Sequence, residues 1–236
     1  DSPGSGMPDS IISMGDYLLY RDRDDEKGYE LFGSNGTAEG SGLVKDINLG
    51  ENSSSPGGLT ELNGIAYFGA NDGTNGKELW RSDGTADGTF LVKDINPDGD
   101  SYPLYLTALG DELFFTAEDE DHGRELWKSD GTAEGTVLVK DIFPGEENSN
   151  LAGQFNRKRD LLGEGQQFII FGNSIYFKAN NGSAFDANST GGELWRSDGT
   201  SEGTYLVKDI RPGSISGLQG NLVVFGNNLY FPANDN

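Results

Sequence analysis

The chain has no cysteine, a single histidine and only two methionines. Without cysteine no disulfide can stabilise it, no thiolate can act as nucleophile, and cysteine usage says nothing about its compartment. One histidine, His122, rules out sites built from several imidazoles and leaves a Ser-His-Asp triad one possible location, an acidic loop. Basic residues are scarce as well: 17 against 39 acidic ones, a formal net charge of −22. A surface this acidic repels phosphate backbones, so no nucleic-acid partner is expected. It suits cations, salty surroundings or plain solubility. No apolar run approaches the ~18 residues of a membrane span, so none is expected. No signal peptide opens the chain, which fits a mature or excised segment.

Glycine is plentiful, at 36 residues, and it recurs at fixed places. The stretch Glu78-Leu-Trp-Arg-Ser-Asp-Gly-Thr-Ala-Asp-Gly-Thr-Phe-Leu-Val-Lys-Asp-Ile95 returns almost verbatim at Glu125–Ile142 and Glu193–Ile210. A drifted copy with Phe32 for Trp and Asn35 for Asp spans Glu30–Ile47. Each copy reads as strand, glycine-rich turn, strand. A second pattern precedes each Glu-Leu-Trp: an apolar run, a Gly-Asn or Gly-Asp pair, then an aromatic run, as in Leu109–Asp119 and Phe171–Asn181. That is the signature of a tight hairpin with a primed turn.

Two hairpins per unit give four strands. The units cover about 11–50, 58–97, 104–145 and 166–213, with a partial one at 218–235. Leu62 to Leu109 is 47 residues and Met14 to Leu62 is 48, within the ~40–50 residues of a propeller blade. Phe90-Leu-Val and Leu113-Phe-Phe are apolar on consecutive positions, which suits strands covered on both faces. The fold expected is therefore all-β, a propeller-like array of four-stranded antiparallel blades in one repeat domain, 1–236. An open solenoid is the alternative. Ser2-Pro-Gly-Ser5 resembles the linkers after Lys-Asp-Ile, and the hairpin Leu218–Asp235 lacks an outer pair. The expectation is a segment of a longer array, or one that self-assembles through the unpaired hairpin.

The recurring Glu-Leu-Trp-x-x-Asp-Gly-Thr, at 78–85, 125–132 and 193–200, resembles the ELWxxDGT repeat family of large bacterial secreted or cell-surface proteins. The resemblance implies the repeat architecture and an extracellular or cell-surface setting. It implies no activity, because that family is defined by its repeat alone.

Candidate sites follow from the repeat. Loops between the second and third strands are acidic, and Asp22, Asp24, Asp72, Asn75, Asp119 and Asp121 offer the hard oxygen ligands that Ca²⁺ takes. None has EF-hand spacing, and a solvated charged loop is the plainer reading. Asp83, Asp130 and Asp198 are expected to accept backbone N–H bonds in the repeated turn. Trp80, Trp127 and Trp195 recur inside a strand, which predicts packing between blades rather than sugar stacking. Lys93, Lys140 and Lys208 are expected to pair across strands with Glu78, Glu125 and Glu193. Two insertions carry the candidate contact residues Arg157, Lys158, Arg159, Asp186 and Asn188.

The function expected is a non-enzymatic extracellular propeller for adhesion, scaffolding or matrix assembly, with calcium as a stabilising ion. The alternatives are a carbohydrate-binding, lectin-like propeller contacting surface glycans, and a glycan-active enzyme using paired carboxylates. Among 39 acidic residues the sequence singles out no such pair.

Overall fold

The structure is a computed structural model that describes residues 9–144, 168–181 and 190–236. The candidate contact residues Arg157, Lys158, Arg159, Asp186 and Asn188 lie outside the described residues. The described residues form strands and no helix. A first sheet runs β1 (Asp9–Met14), β2 (Tyr17–Asp24), β3 (Gly28–Ser34), β4 (Ser41–Lys45), in that spatial order. The second is β5 (Gly57–Leu62), β6 (Ile65–Asn71), β7 (Lys77–Ser82) and β8 (Phe90–Lys93). A third comprises β9 (Leu104–Leu109), β10 (Glu112–Asp119), β11 (Gly123–Ser129) and β12 (Val137–Lys140). The fourth has β13 (Ile169–Ile170), β14 (Ile175–Ala179), β15 (Glu193–Ser197) and β16 (Tyr205–Lys208). A two-stranded sheet, β17 (Val223–Phe225) with β18 (Asn228–Tyr230), follows. The fold is all-β, a propeller-type array of four-stranded antiparallel blades.

The first two strands of a blade meet through the turn that glycine makes possible. Asn63 and Gly64 both have positive φ, 53° and 79°, while in the two-residue turns after Met14, Leu109 and Phe225 a glycine takes positive φ at the first position. These are the primed turns whose twist matches antiparallel strands.

A β-bulge sits at one place in every blade. The register shifts between Leu31 and Phe32, Leu79 and Trp80, Leu126 and Trp127, and Leu194 and Trp195. In the second blade Leu79 faces Lys93 while Trp80 faces Leu91, so Val92 is the extra residue. The bulge breaks the two-residue alternation of the last strand and turns Val92 inward, 6% exposed. This is why Phe-Leu-Val reads as a continuous apolar run.

By their contacts the residues divide into two compact units, Asp1–Glu118 with Ser129–Thr136, and Asp119–Lys128 with Val137–Asn236. In the first unit the core joins the first two blades: Leu19, Leu31 and Ile47 pack with Ala66, Phe68, Ala70 and Trp80. In the second unit Leu194 packs with Leu218 and Leu222, and Leu229 and Phe231 of the hairpin segment lie against them. Trp80, Trp127 and Trp195 are each 6% exposed and belong to the core.

Candidate functional site

The repeated glutamate lies at the base of each blade. Glu30, Glu78, Glu125 and Glu193 are fully buried, and Lys93 and Lys140, expected to pair with two of them, bond elsewhere. Each accepts the backbone N–H of the isoleucine 17 residues on, Ile47, Ile95, Ile142 and Ile210. Three of them also accept an N–H from the linker to the next blade: Ser54 at 2.7 Å, Ser101 at 2.8 Å and Gly217 at 2.6 Å. The glutamate therefore ties the end of one blade to the start of the next. Burial raises Glu30, raises Glu78 to about 7 and raises Glu125 to about 8, against the N–H donors that favour the anion.

The lysines go elsewhere, and this corrects the cross-strand pairing. Lys45 Nζ donates to the carbonyl of Thr89 at 2.6 Å, Lys93 to Thr136 at 2.8 Å and Lys140 to Thr204 at 2.7 Å. Each lysine straps the last strand of its blade to the Asp-Gly-Thr turn of the following one. The bulge at the preceding valine re-aims the side chain, so its in-sheet neighbour is not its partner.

Those turns are closed by their own side chains. Asp83 Oδ1 accepts Thr85 N–H at 2.9 Å and Thr85 Oγ–H at 2.7 Å, and Asp130 and Asp198 repeat both bonds. The hydroxyl of Thr89 donates to Thr85 carbonyl at 2.6 Å, so Ser82, 2.7 Å away, must be its donor. A Cβ on Gly88, Gly135 or Gly203 would overlap the aspartate carboxylate, which requires glycine there.

The acidic loops mostly spend their oxygens locally. Asp22 accepts Arg23 N–H, Asp24 accepts Glu26 N–H, and Asp72 accepts from Thr74, Asn75 and the Asn75 side chain. Asp121 is exposed and acts on His122 through charge. Among the described residues no group of three or more His, Cys, Asp or Glu is placed to hold a metal ion.

Three positions nevertheless recur around the end of each of the first three blades. Asp24, Asp72 and Asp119 are equivalent, 48 and then 47 residues apart, as are Lys27, Asn75 and His122, and Asp46, Asp94 and Asp141. In the first blade Lys27 Nζ lies 2.9 Å from Asp46 Oδ2. In the second the middle position is a neutral amide, and Asp94 is raised by burial and by Asp72 and Asp98. In the third His122 Nδ1 lies 2.9 Å from Asp119 Oδ2, and its backbone N–H donates to Asp119 Oδ1 at 2.7 Å. The side-chain bond to Asp119 raises His122. Asp141 is raised by burial, with His122 acting against the shift, and its Oδ1 is buried with no partner among the described residues. The third blade thus combines two carboxylates whose charges both act on one imidazole. One carboxylate is bonded to the imidazole and the other is desolvated. Sequence spacing gave no hint of it, because Asp119 and Asp141 stand on separate elements; the repeat alignment was the available signal.

A second variable feature lies on the outer strands. Arg81 sits over the ring of Phe90 at 5.2 Å and Arg196 over Tyr205 at 5.3 Å, pairs that face each other across β7–β8 and β15–β16. Phe90 and Tyr205 are 44% and 42% exposed. The same position is Gly42 in the first blade and Val137 in the third, in a repeat that is otherwise nearly constant.

No protein-family model and no curated protein matches the chain. Among solved structures it is similar to a puromycin hydrolase, with a TM-score of 0.50 and 12% identity over 84% of this chain and 28% of that one. Xyloglucan PUL GH43B of Bacteroides ovatus aligns with a TM-score of 0.41 at 16% identity, over 87% of this chain and 41% of that one. An exo-β-1,3-galactanase from Phanerochaete chrysosporium aligns at 0.39 and 11%, over 94% and 55%. At such identities the fold alone is shared, and the chain spans less than two thirds of each of these structures. The expectation of a non-enzymatic chain is corrected here, because a solved structure that shares this fold, the puromycin hydrolase, is an enzyme. The shortage of cysteine and histidine excluded thiol and multi-imidazole chemistry; carboxylate chemistry needs neither.

Proposed function

We propose that this chain is a carbohydrate-active propeller module of the ELWxxDGT repeat kind, working outside the cell. The observation that carries this is the third-blade group, in which Asp141 is desolvated while Asp119 is engaged by His122. Glycoside hydrolysis needs two carboxyl groups in unlike environments, one holding a proton for the leaving oxygen and one acting as base or nucleophile. Burial pushes Asp141 in the direction a proton donor needs, which assigns it that role in this reading. Asp119 is the second carboxylate, oriented by the imidazole it accepts from. The exposed Phe90 and Tyr205 rings present apolar faces suited to sugar C–H surfaces, and the guanidinium behind each holds the ring in place. The absence of a helix long and apolar enough to cross a membrane among the described residues is compatible with such a role.

The test is release of reducing sugar from a panel of polysaccharides by the full chain. Asp141→Asn and Asp119→Asn should each lower turnover by ~100-fold or more, as loss of a general acid or base does. Phe90→Ala and Tyr205→Ala should instead weaken retention on the same polysaccharide. Turnover indifferent to both aspartates, or no turnover and no retention on any glycan, would overturn the reading.

A further inference from the structure

Asparagine followed by glycine is chemically labile, because no side chain shields the glycine nitrogen from the carboxamide beside it. The pair occurs four times, at Asn35, Asn63, Asn75 and Asn181, and the first three lie wholly within the described residues. Asn35 stands where the other three blades have Asp83, Asp130 and Asp198. All four of these residues are exposed, so the exposure belongs to the repeat position.

The fold holds the three carboxamides differently. Asn35 Oδ1 accepts Thr37 N–H at 3.0 Å and Thr37 Oγ–H at 2.8 Å. Bonded to the residue two positions on, the carboxamide is folded over the intervening Gly36 peptide, the direction in which a ring would close. Two donors also polarise its carbonyl. Gly36 N–H donates to Ser34 Oγ at 3.0 Å. Ser41 Oγ, 2.6 Å from Ser34 Oγ, gives its own hydrogen to Thr37 carbonyl at 2.6 Å, so Ser34 donates to Ser41 and keeps a lone pair for Gly36. Asn75 is turned the other way: its Nδ2 donates to Asp72 Oδ2 at 2.7 Å, three residues back. Asn63 Nδ2 reaches Asp111 Oδ1 at 3.1 Å in the next blade, and Gly64 N–H is held by Glu61 Oε1 at 2.6 Å. A carboxylate on the amide nitrogen thus draws each of these two away from its glycine.

We infer that Asn35 is a site of spontaneous covalent modification, an intramolecular deamidation that turns the first blade's Asn-Gly-Thr into the Asp-Gly-Thr of the other blades. Gly36 N gives up its proton and bonds Asn35 Cγ; the Cγ–Nδ2 bond breaks and ammonia leaves with that proton. Water then opens the cyclic imide at Cγ, restoring the main chain with an aspartate, or at the main-chain carbonyl, giving isoaspartate. The two Thr37 donors stay on the Cγ oxygen and make Cγ the better electrophile, which directs opening toward aspartate. The product fits the turn: Asp83, Asp130 and Asp198 each accept the same pair of threonine bonds, at 2.7–3.0 Å.

The experiment incubates the full chain in mildly alkaline buffer, with and without urea, and maps each asparagine by peptide mass. Labelling with an isoaspartyl methyltransferase separates the two products. In the folded chain Asn35 should gain the acid ~tenfold faster than Asn63 and Asn75, and in urea the three rates should draw within ~threefold of one another. The isoaspartate share at Asn35 should be lower from the folded chain than from the unfolded one. Thr37→Val, which removes one donor, should slow Asn35 severalfold in buffer and leave its rate in urea unchanged. Asn35 no faster than Asn63 and Asn75 when folded, or the same lead in urea, overturns the inference. An isoaspartate share unmoved by folding overturns the conversion to the repeat's own turn.

Discussion

Replacing Glu78 by glutamine should change the protein's stability with a sign that depends on pH. Glu78 Oε1 accepts Ser101 N–H at 2.8 Å, and Oε2 accepts Ile95 N–H at 2.9 Å and faces Ser101 Oγ at 2.6 Å. Glutamine keeps the first bond and can donate to Ser101 Oγ, but its amide nitrogen faces Ile95 N–H and leaves that buried donor unpaired. The cost is about 2 kcal/mol, the penalty for one unsatisfied buried group. Against it stands the charge. Glu78 is raised by burial from 4.5 to about 7, so the folded state holds a proton the unfolded chain has lost. Its contribution to stability is full below the unfolded pKa and is lost as pH rises through the folded one, in all ~3 kcal/mol.

When neutral, Glu78 can reverse its short bond and donate to Ser101 Oγ, whose hydrogen then passes to Lys77 carbonyl at 3.3 Å. At about pH 5 the Gln variant should therefore melt lower than the parent, by roughly 4–8 °C for a chain of this length. By about pH 9 the difference should vanish or reverse, since only the parent has an anion to bury. Parallel thermal or urea unfolding of both proteins from acid to alkaline buffer measures it. A difference that stays constant with pH would refute the account of Glu78 as a buried proton carrier.

Lys93→Met removes the bond to Thr136 carbonyl and should cost about 1–2 kcal/mol in urea unfolding, whereas Lys208→Met should stay within about 0.5 kcal/mol. Equal effects would argue against the strap. Gly88→Ala drives a Cβ into the Asp83 carboxylate and should destabilise more than Asp83→Ala; the double variant should recover part of the loss, and strict additivity would contradict the contact. Asn75→Lys should raise the melting temperature by giving Asp72 and Asp94 the cation that Lys27 gives the first blade. Calcium is proposed to fill the same role in the parent. It should then raise the parent's melting temperature at fixed ionic strength, reversibly with chelator, and affect the Asn75→Lys protein less. An identical or absent response in both refutes calcium there.

What the sequence disclosed was whatever is local or periodic. The turn aspartates bond residues two positions away, so composition alone places them, and the tryptophans repeat at a core position. The glutamates escaped because their partners lie 17 and 23 or 24 residues on, across a turn and a strand. Even so, the constant distance from glutamate to isoleucine in all four copies was a usable signal. The lysines were misassigned for a more physical reason. Alternation along a strand predicts where a side chain points only while the strand is regular, and the bulge at each valine breaks it. The Asp119, His122 and Asp141 group was illegible for want of any marker that sets it apart from the other carboxylates. Only when the blades are superimposed does the middle position show its lysine, asparagine and histidine.

The forward reach of the strap lysines gives the repeat a phase. The sequence period runs from one hairpin to the next, but a lysine and the carbonyl it holds belong to consecutive periods. A fragment cut at the boundaries of the sequence repeat therefore always parts a donor from its acceptor at both ends. A self-sufficient fragment has to be drawn out of step, from the last strand of one blade through the turn of the following one. By the same logic, duplicating or deleting one whole period anywhere inside the array restores every strap. The array can change its length by unequal exchange without passing through a defective intermediate.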